Sequence, residues 1–344
     1  MTGKVLVIKL GSAVITNQEG NIDTTIVKKV AEEVAALSRQ YNIVLVSSGA
    51  VASGKKFLSA YKGTLTERKA AAAVGNPILI QLYHQYLQQE GITVAQALCE
   101  RMHFSNRKQF LQLKETFETF WENKIVPVVN ENDLVSNVEI KFSDNDELAT
   151  LIAIGFDATS MLLCTSAGGL LNDNKEVISR VDRIDGAVLQ HVNTEKSNVG
   201  LGGMLSKLTF TRLATSLGIH VAICGLKGER PLQDALEGKN GTWFEPQSSN
   251  LRARQKWLAS GSVTLGTIHV DKGAAKALFA RKSLLTVGIS NTEGKFVAGE
   301  VVQLRDETGE IIGVAKSKLA AGEIGRQLTV RNVIAAHADD IVLF

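Results

Sequence analysis

The sequence predicts an α/β protein: a three-layer αβα sandwich with a mostly parallel central sheet, followed by a small, mostly β domain. Three observations support this fold class. Apolar runs rich in β-branched residues alternate with helical stretches up to about residue 225. These runs are nearly continuous in Val, Ile and Leu, as in strands that helices cover on both faces. Beyond residue 265 the strand signals are short, and glycine-containing turns separate them.

The predicted strands of the first domain are, in chain order, KVLVIKL, NIVLVSS, ITVAQAL, KIVPVVN, SMLLCTS and IHVAICG. Between the first two lies TTIVKKVAEEVAALSRQ, in which apolar residues recur at helical spacing. The second domain has strand signals at TIHV, LTVGIS, EVVQLRD, IIGVAKS and DDIVLF. The stretch between the domains, GKNGTWFEPQSSNLRARQ, has the composition of a linker. We therefore assign residues 1–250 to the first domain, 251–264 to a linker and 265–344 to the second.

Composition excludes some classes of function. A length of 344 residues suits two domains, and a net charge of +3 is too small for binding nucleic acid or membranes by electrostatics alone. The three cysteines, Cys99, Cys164 and Cys224, fall in or beside apolar runs without CxxC spacing, which predicts buried thiols in a reducing compartment. We find no cleavage site and no apolar run of ~20 residues, so we expect a cytoplasmic protein.

Two strand ends carry features of an anion or ligand site. Lys9 lies near the end of the first strand and is followed by Gly11, although the spacing of a Walker loop is absent. The second strand ends in the small residues Ser47 to Ala50 before a helix. In open α/β sheets ligands bind at the carboxyl ends of strands, and small residues let a ligand approach the backbone. The alternative for each motif is an ordinary turn beside a surface residue.

A third motif is GLGGMLSKLTFTRLA, which starts at Gly200. We predict that its helix begins near Met204, which puts Lys207 in the first turn. A cation there opposes the helix macrodipole, so its presence indicates a functional reason. Glycine loops of this composition are common, and the motif is weak evidence when taken alone.

Two polar clusters, VNENDLVSN from residue 129 and SDNDEL from residue 143, raise a further question. Ser143 or Asp144 can cap the helix that follows, but capping does not account for the remaining polar groups. The clusters predict a polar ligand site. A hard-metal site at Asp133, Asp144 and Asp146 is the rival interpretation.

These stretches together resemble the glutamate 5-kinases of the amino acid kinase family. The resemblance runs in family order through residues 5–260 and includes VIKLGSAVIT, LVSSGAVASG, VNEND followed by DND, and GLGGMLSKL. The region from about residue 265 resembles a PUA domain. The resemblance implies an amino acid kinase fold and ATP-dependent phosphorylation of the side-chain carboxylate of L-glutamate, the first step of proline synthesis.

The resemblance also implies roles for individual residues. Lys9 and Lys207 would hold the transferring phosphoryl group, and Asp146 would orient these lysines while offsetting their mutual repulsion. The implied glutamate-binding residues are Ser48, Gly49, Ala50, Asp133 and Asn145. The implied nucleotide-binding residues are Lys9, Gly11, Thr165, Ser166, Leu201, Gly202, Gly203, Met204 and Lys207.

The implied chemistry needs few other groups. A glutamate carboxyl with a pKa near ~4.3 is already ionised at neutral pH, so its oxygen attacks without a general base. Mg²⁺ would be held largely by the ATP phosphates and water, so we expect no protein metal ligands. This expectation weakens the metal interpretation of the acidic cluster.

The chain departs from the family in three places. Ser166 stands where an aspartate is usual, and the stretch after it has no proline where the family has an Asp-Pro-Arg-like segment. Leu201 stands where a small polar residue is usual. Alternative functions are another amino acid kinase, acting on aspartate, acetylglutamate or a nucleotide, and a non-catalytic RNA-binding or regulatory protein on the same fold. The nearly balanced charge of residues 265–344 argues against RNA binding and favours a structural or regulatory role. The resemblance further implies feedback inhibition by proline and a homo-oligomer, either a dimer or a tetramer.

Overall fold

The structure, a computed structural model, describes residues 3–105, 107–135, 144–184, 188, 201–247, 266–328, 330 and 332–343. The chain divides into two compact units. The first comprises Met1–Glu100 and Leu111–Ser249, and the second comprises Arg101–Phe110 and Asn250–Phe344. The predicted linker, 251–264, lies outside the described residues, and the predicted domain limits stay a prediction.

Eight strands of the first unit form one sheet with the order β3-β4-β2-β1-β5-β7-β8-β6. Neighbouring strands from β3 to β7 in this order run parallel, whereas β8 runs antiparallel to β7. The sheet is therefore mostly parallel, as predicted. The strands are β1 (Lys4–Leu10), β2 (Tyr41–Ser47), β3 (Thr93–Cys99), β4 (Ile125–Glu131), β5 (Ser160–Cys164), β6 (Arg180–Val181), β7 (His220–Cys224) and β8 (Thr242–Phe244).

Helices connect these parallel strands, as crossover connections between parallel strands require. Six of the strands lie where the apolar runs predicted them, within one or two residues. The helices are α1 (Ser12–Ile15), α2 (Thr24–Leu37), α3 (Ala50–Gly54), α4 (Leu65–Gln89), α5 (Met102–Ser105), α6 (Arg107–Glu122), α7 (Asn145–Gly155), α8 (Leu201–Ser216) and α9 (Pro231–Leu236). A short 3₁₀ helix, Lys55–Phe57, follows α3.

The linker signature was partly wrong, because residues 242–244 within it form strand β8 of the first sheet. Thr242 and Phe244 are buried, and the Thr242 hydroxyl oxygen accepts a hydrogen bond from the Leu170 backbone N–H. The polar composition on either side of this three-residue strand conceals it in the sequence. The strand is stabilised by antiparallel pairing with β7, a contact that the local composition does not indicate.

The core of the first unit lies between α2, α4 and one face of the sheet. Apolar side chains of β1 and β2 pack there against α2 and α4. Helix α7 packs against α8, β1 and β5, and all of its residues after Asn145 are buried. A helix that is buried all round brings its polar first turn into the interior, so those polar groups require partners.

The second unit has its own core and is mostly β, as predicted. Its five-stranded sheet has the order β11-β9-β12-β13-β15, and a separate pair joins β10 to β14. The strands are β9 (Gly266–Val270), β10 (Leu284–Leu285), β11 (Ile289–Gly294), β12 (Val301–Arg305), β13 (Ile311–Lys316), β14 (Ile334–Ala336) and β15 (Ile341–Leu343). Among the described residues from 266 onward, the helices are α10 (Lys272–Phe279) and α11 (Ala321–Gln327), with 3₁₀ turns at Thr286–Gly288 and Ala338–Asp340.

No helix among the described residues is long and apolar enough to cross a membrane. The predicted cytoplasmic location stays a prediction.

Candidate active site

The centre of the site is a carboxylate held between two lysines. Lys9 Nζ lies 2.5 Å from Asp146 Oδ1, and Lys207 Nζ lies 2.8 Å from Asp146 Oδ2. The side chains of Lys9, Lys207 and Asp146 are 6%, 12% and 1% exposed, so solvent screens these ion pairs weakly. Two cations share one anion, which leaves a net positive charge for an anionic ligand.

Three elements from distant parts of the chain bring these groups together. Lys9 is next to last in β1, at the carboxyl edge of the sheet where ligands bind in open α/β folds. Asp146 is in the first turn of α7, and Lys207 projects from α8, which packs against α7. The helix that carries Lys207 begins at Leu201 rather than near Met204, so our prediction of its start was wrong. Lys207 therefore lies in the second turn, where the macrodipole opposes a cation less.

Asp144 has the capping role that the sequence offered to it. Its Oδ1 accepts from the backbone N–H groups of Asp146 and Glu147, at 2.9 and 3.1 Å. Its other oxygen, Oδ2, accepts from the Ser206 hydroxyl at 2.6 Å. Asp144 thus caps the N-terminus of α7. It also links α7 to α8 through Ser206, the residue before Lys207. Ser206 was not anticipated, because the motif carries no signal for it.

A second network of uncharged groups starts at the neighbouring residue, Asn145. Its Nδ2 donates to Ser48 Oγ at 2.9 Å and to Asn130 Oδ1 at 3.0 Å. Asn130 Nδ2 in turn donates to Asn76 Oδ1 at 3.0 Å. The contact of Asn145 with Ser48 brings together two of the residues implied to bind glutamate. Asn76 was missed, because a single amide within a long helix gives no sign of its partner.

The turn after β2 contains Ser48 and two further residues implied to bind glutamate, Gly49 and Ala50. Gly49 has a φ of 107°, in the left-handed region that favours glycine, and it precedes α3. A Cβ on Gly49 would lie 2.8 Å from Ile15 Cδ1, so a side chain would also clash. Ala50 is buried at the start of α3. Backbone geometry and space together account for the small residues in this turn.

The implied nucleotide residues lie in three separate places. Gly11 precedes α1, and its N–H donates to the Cys164 carbonyl. Thr165 follows β5, and its N–H donates to the Cys224 carbonyl, while Ser166 is exposed. Residues 201–204 begin α8, with Gly203 exposed. Gly11 and Thr165 thus follow adjacent strands at the same edge of the sheet.

Asp133 lies in a turn after β4 and is partly buried. The segment 136–143, which includes Ser143, lies outside the described residues. Asp133 stays a predicted glutamate residue, whereas Asp144 and Asp146 have the partners given above. Because these two carboxylates already bind backbone N–H groups, a hydroxyl and two ammonium groups, they do not resemble a metal cage. Among the described residues, no group of three His, Cys, Asp or Glu side chains could hold a metal ion.

The three cysteines are buried, as predicted, and none is in a disulfide. Burial raises the pKa of the Cys99 thiol to about 12. Cys164 and Cys224 are register partners on β5 and β7, with their sulfur atoms 3.9 Å apart. The adjacent Cys224 thiol and burial raise the pKa of Cys164 well above its ordinary value. The thiols of Cys99 and Cys164 are therefore protonated at neutral pH. All three buried cysteines pack as small apolar side chains.

Another buried carboxylate, Glu33, supports the loop after β7. Its Oε2 accepts from the backbone N–H groups of Leu232 and Gln233, at 2.9 and 3.1 Å, at the start of α9. Burial raises the pKa of Glu33, and these two hydrogen bonds oppose the shift. Glu33 therefore links α2 to the start of α9, a structural contact that the motifs did not indicate.

The comparisons with known proteins agree with this architecture. The amino acid kinase family profile matches residues 4–225, and that of the PUA domain matches residues 266–331. Glutamate 5-kinase of Kosmotoga olearia is 38% identical over 90% of this chain and 87% of its own length. The enzyme of the same name from Aquifex aeolicus is 37% identical, over 98% of this chain and 97% of its own. That of Thermotoga maritima is 36% identical over 90% and 87%.

Proposed function

Because this chain belongs to the amino acid kinase family, with curated relatives that are glutamate 5-kinases, we propose that it phosphorylates the side-chain carboxylate of L-glutamate. The donor is ATP and the product is L-glutamyl 5-phosphate. The observation that carries the proposal is the Lys9–Asp146–Lys207 arrangement, which suits a transferring phosphoryl group. This arrangement suits phosphoryl transfer to any acceptor and argues against a non-catalytic role, whereas the choice of glutamate rests on the glutamate 5-kinase relatives.

In this proposal the two lysines neutralise charge. The phosphoryl group spreads negative charge over its oxygens during transfer, and positioned cations stabilise that charge. Lys9 and Lys207 approach from different elements, one from the sheet and one from α8. Asp146 offsets their mutual repulsion and fixes both ammonium groups, so little reorganisation is needed when phosphate oxygens arrive.

The acceptor needs no general base. A glutamate side-chain carboxylate with a pKa near ~4.3 is ionised at neutral pH, so one of its oxygens can attack phosphorus directly. The task that remains is to hold acceptor and donor in line. We assign the glutamate to Ser48, Gly49, Ala50, Asp133 and Asn145, and the nucleotide to Lys9, Gly11, Thr165, Ser166, Lys207 and residues 201–204.

Magnesium fits this site through ATP rather than through the protein. The donor set around the proposed phosphate position consists of two ammonium groups and a carboxylate that both already share. Such a set suits phosphate oxygens, and Mg²⁺ in kinases commonly keeps several waters and binds the phosphates. When bound, the ion would add charge neutralisation between the phosphates.

The finer features of the assignment are also proposals. Proline resembles cyclised glutamate, and we propose that it competes for the glutamate site as a feedback inhibitor. We propose a homo-oligomer, a dimer or a tetramer, and a structural or regulatory role for the PUA domain. The near balance of basic and acidic residues in 265–344 supports such a role over RNA binding.

The test is acceptor-dependent ATP turnover by the purified protein with Mg²⁺, with hydroxylamine present to trap an acyl phosphate. Glutamate, aspartate, acetylglutamate and no acceptor are compared at equal concentrations. We expect ADP formation that depends on glutamate, together with a γ-hydroxamate. Turnover with another acceptor, or none at all from a folded protein that binds ATP, would contradict the proposal.

A further inference from the structure

A chain of side-chain amides runs from the helix α4 to the candidate glutamate site. We propose that Asn76, in α4, is a positioning residue that sets which hydrogen-bonding atoms of Asn145 and Ser48 face the substrate. The inference rests on the proposed function, because it specifies which hydrogen-bonding groups the ligand of the glutamate site must present. It assigns a role to a residue that touches no substrate and appears in none of the sequence motifs.

The polarity of this amide chain follows from one backbone group. The N–H of Glu131 donates to Asn130 Oδ1 at 2.9 Å. A backbone N–H can only donate, so the atom that it meets must be the amide oxygen. The same oxygen accepts from Asn145. The nitrogen of Asn130 is therefore directed away, toward Asn76 Oδ1 at 3.0 Å.

This polarity determines what Asn145 and Ser48 offer to a ligand. An asparagine Nδ2 has two hydrogens, and in Asn145 one binds Asn130 Oδ1 and the other binds Ser48 Oγ. Toward a ligand Asn145 can then only accept, through Oδ1. Ser48 Oγ accepts from Asn145, so the serine's own proton is directed to a ligand acceptor. The site therefore selects a ligand with a donor, such as an ammonium group, beside an acceptor, such as a carboxylate.

Asn76 anchors the far end of the chain. Asn76 and Asn130 are 8% and 6% exposed, so an amide hydrogen of Asn130 that lost its acceptor would not be compensated by bulk water. Without this acceptor, Asn130 gains freedom to rotate, and the hydrogen bond that orients Asn145 weakens. Asn76 acts on the substrate through two intervening amides.

The backbone of α4 is held close to the substrate turn, which makes Asn76 a rigid anchor. A Cβ on Gly75 would lie 1.8 Å from the Ala50 carbonyl oxygen, and one on Gly54 would lie 1.9 Å from the Ala71 carbonyl oxygen. Only glycines allow α3 and α4 to approach this closely. Two turns further along α4, the Tyr83 hydroxyl forms a hydrogen bond with the Ser47 hydroxyl at 2.8 Å. Asn76 is thus fixed relative to the turn that contains Ser48.

The experiment compares three variants with the wild type in steady-state kinetics. N76L keeps a similar shape without a hydrogen-bonding atom, whereas N76D keeps an oxygen that accepts from Asn130. Q85L makes an amide-to-leucine change on the exposed face of the same helix and serves as the matched control. We expect N76L to raise the KM for glutamate about 10-fold, with kcat and the KM for ATP within about 3-fold of wild type. N76D and Q85L should stay within about 3-fold in all three constants.

A KM for glutamate in folded N76L within 2-fold of wild type would overturn the inference. So would an equal rise in both KM values, which indicates a general structural defect. If N76L does not fold, N76A is measured in its place against the same criteria. Wild-type turnover with glutamate keeps the two hypotheses separate: its absence contradicts the proposed function, whereas its presence with an unaffected N76L contradicts only this inference.

A second measurement on the unmodified protein tests the polarity itself. In 2-oxoglutarate a carbonyl oxygen replaces the ammonium group, so it presents an acceptor where Asn145 also presents one. We expect kcat/KM for 2-oxoglutarate to be at least about 100-fold below that for glutamate, because a buried polar group would be left unpaired. Comparable values for the two acceptors would overturn the assigned polarity.

Discussion

Asn145 and Asp146 are neighbours in the first turn of α7, yet they belong to two networks of opposite character. Asp146 is shared by two lysines in a charged network, whereas Asn145 joins a neutral chain of a serine and two further asparagines. Successive residues on a helix point about 100° apart, so one turn can serve both networks. In the proposed function, one helix start therefore separates the residues for phosphoryl transfer from those for recognition of the acceptor.

The charged network should control the rate, and this predicts the largest effect. K207A removes one of the two cations that face the transferring phosphoryl group in the proposed function. We expect kcat to fall by about 10²–10³-fold, as on loss of a preorganised charge-stabilising group, with folding intact. Steady-state assays at saturating ATP and glutamate measure it, with circular dichroism to check the fold.

The control for this prediction is K28A, which removes an exposed lysine of α2 that pairs with Glu32. It should keep the activity of wild type. Activity of K207A within a few-fold of wild type would remove the distinction between the two networks, and with it the assignment of Lys207.

The neutral network should control the binding of glutamate, with a smaller effect. S48A removes the hydroxyl that accepts from Asn145 and that, in our proposal, donates its proton to the substrate. We expect the KM for glutamate to rise about 10-fold, which corresponds to one hydrogen bond to a charged group, while kcat changes less than about 3-fold. Initial rates against glutamate concentration measure both constants.

The matched control is S38A, in which the lost hydroxyl bonds a carbonyl at the end of α2. It should leave the KM for glutamate unchanged. A fall in the kcat of S48A comparable to that of K207A would indicate that the two networks act together rather than separately.

Glu33 is a useful contrast with Asp146. Both carboxylates are buried, but Glu33 is bound by two backbone N–H groups, whereas Asp146 is bound by two lysines. Its raised pKa means that the native state binds more protons than the unfolded state above the ordinary value of 4.5. The contribution of Glu33 to the free energy of unfolding is therefore largest at low pH and declines as the pH rises through the raised pKa. E33Q, which keeps an accepting oxygen, should remove this decline.

At neutral pH we expect the free energy of unfolding of E33Q to exceed that of wild type by an amount on the order of 1 kcal/mol or less. The difference should shrink toward pH 5. Urea unfolding at several pH values measures it, and E32Q, a change at an exposed neighbour, is the control. A difference that grows toward low pH would reverse the sign and contradict the assigned direction of the pKa shift.

Much of the fold was predictable because strand signals are local. The six strands β1 to β5 and β7 follow from apolar runs, although the edge strand β3 is mostly not buried. Asp144 follows from the preference for acceptors at helix starts. Two features were not predictable in this way. Gly202 and Gly203 suggest a loop although α8 includes them. Strand β8 has only three residues within a polar segment, and its pairing with β7 is visible only in the structure.

The sequence by itself determined the layered α/β class, most strand positions and, by resemblance, the residues Lys9, Asp146 and Lys207. Only the tertiary structure decided that both lysines share the two oxygens of one carboxylate, and that Asn76 reaches the candidate glutamate site through Asn130. The physical reason is range. Hydrophobic periodicity and capping act over a few residues, whereas an ion pair or an amide chain depends on distances that close only when α4, α7 and α8 pack against the sheet.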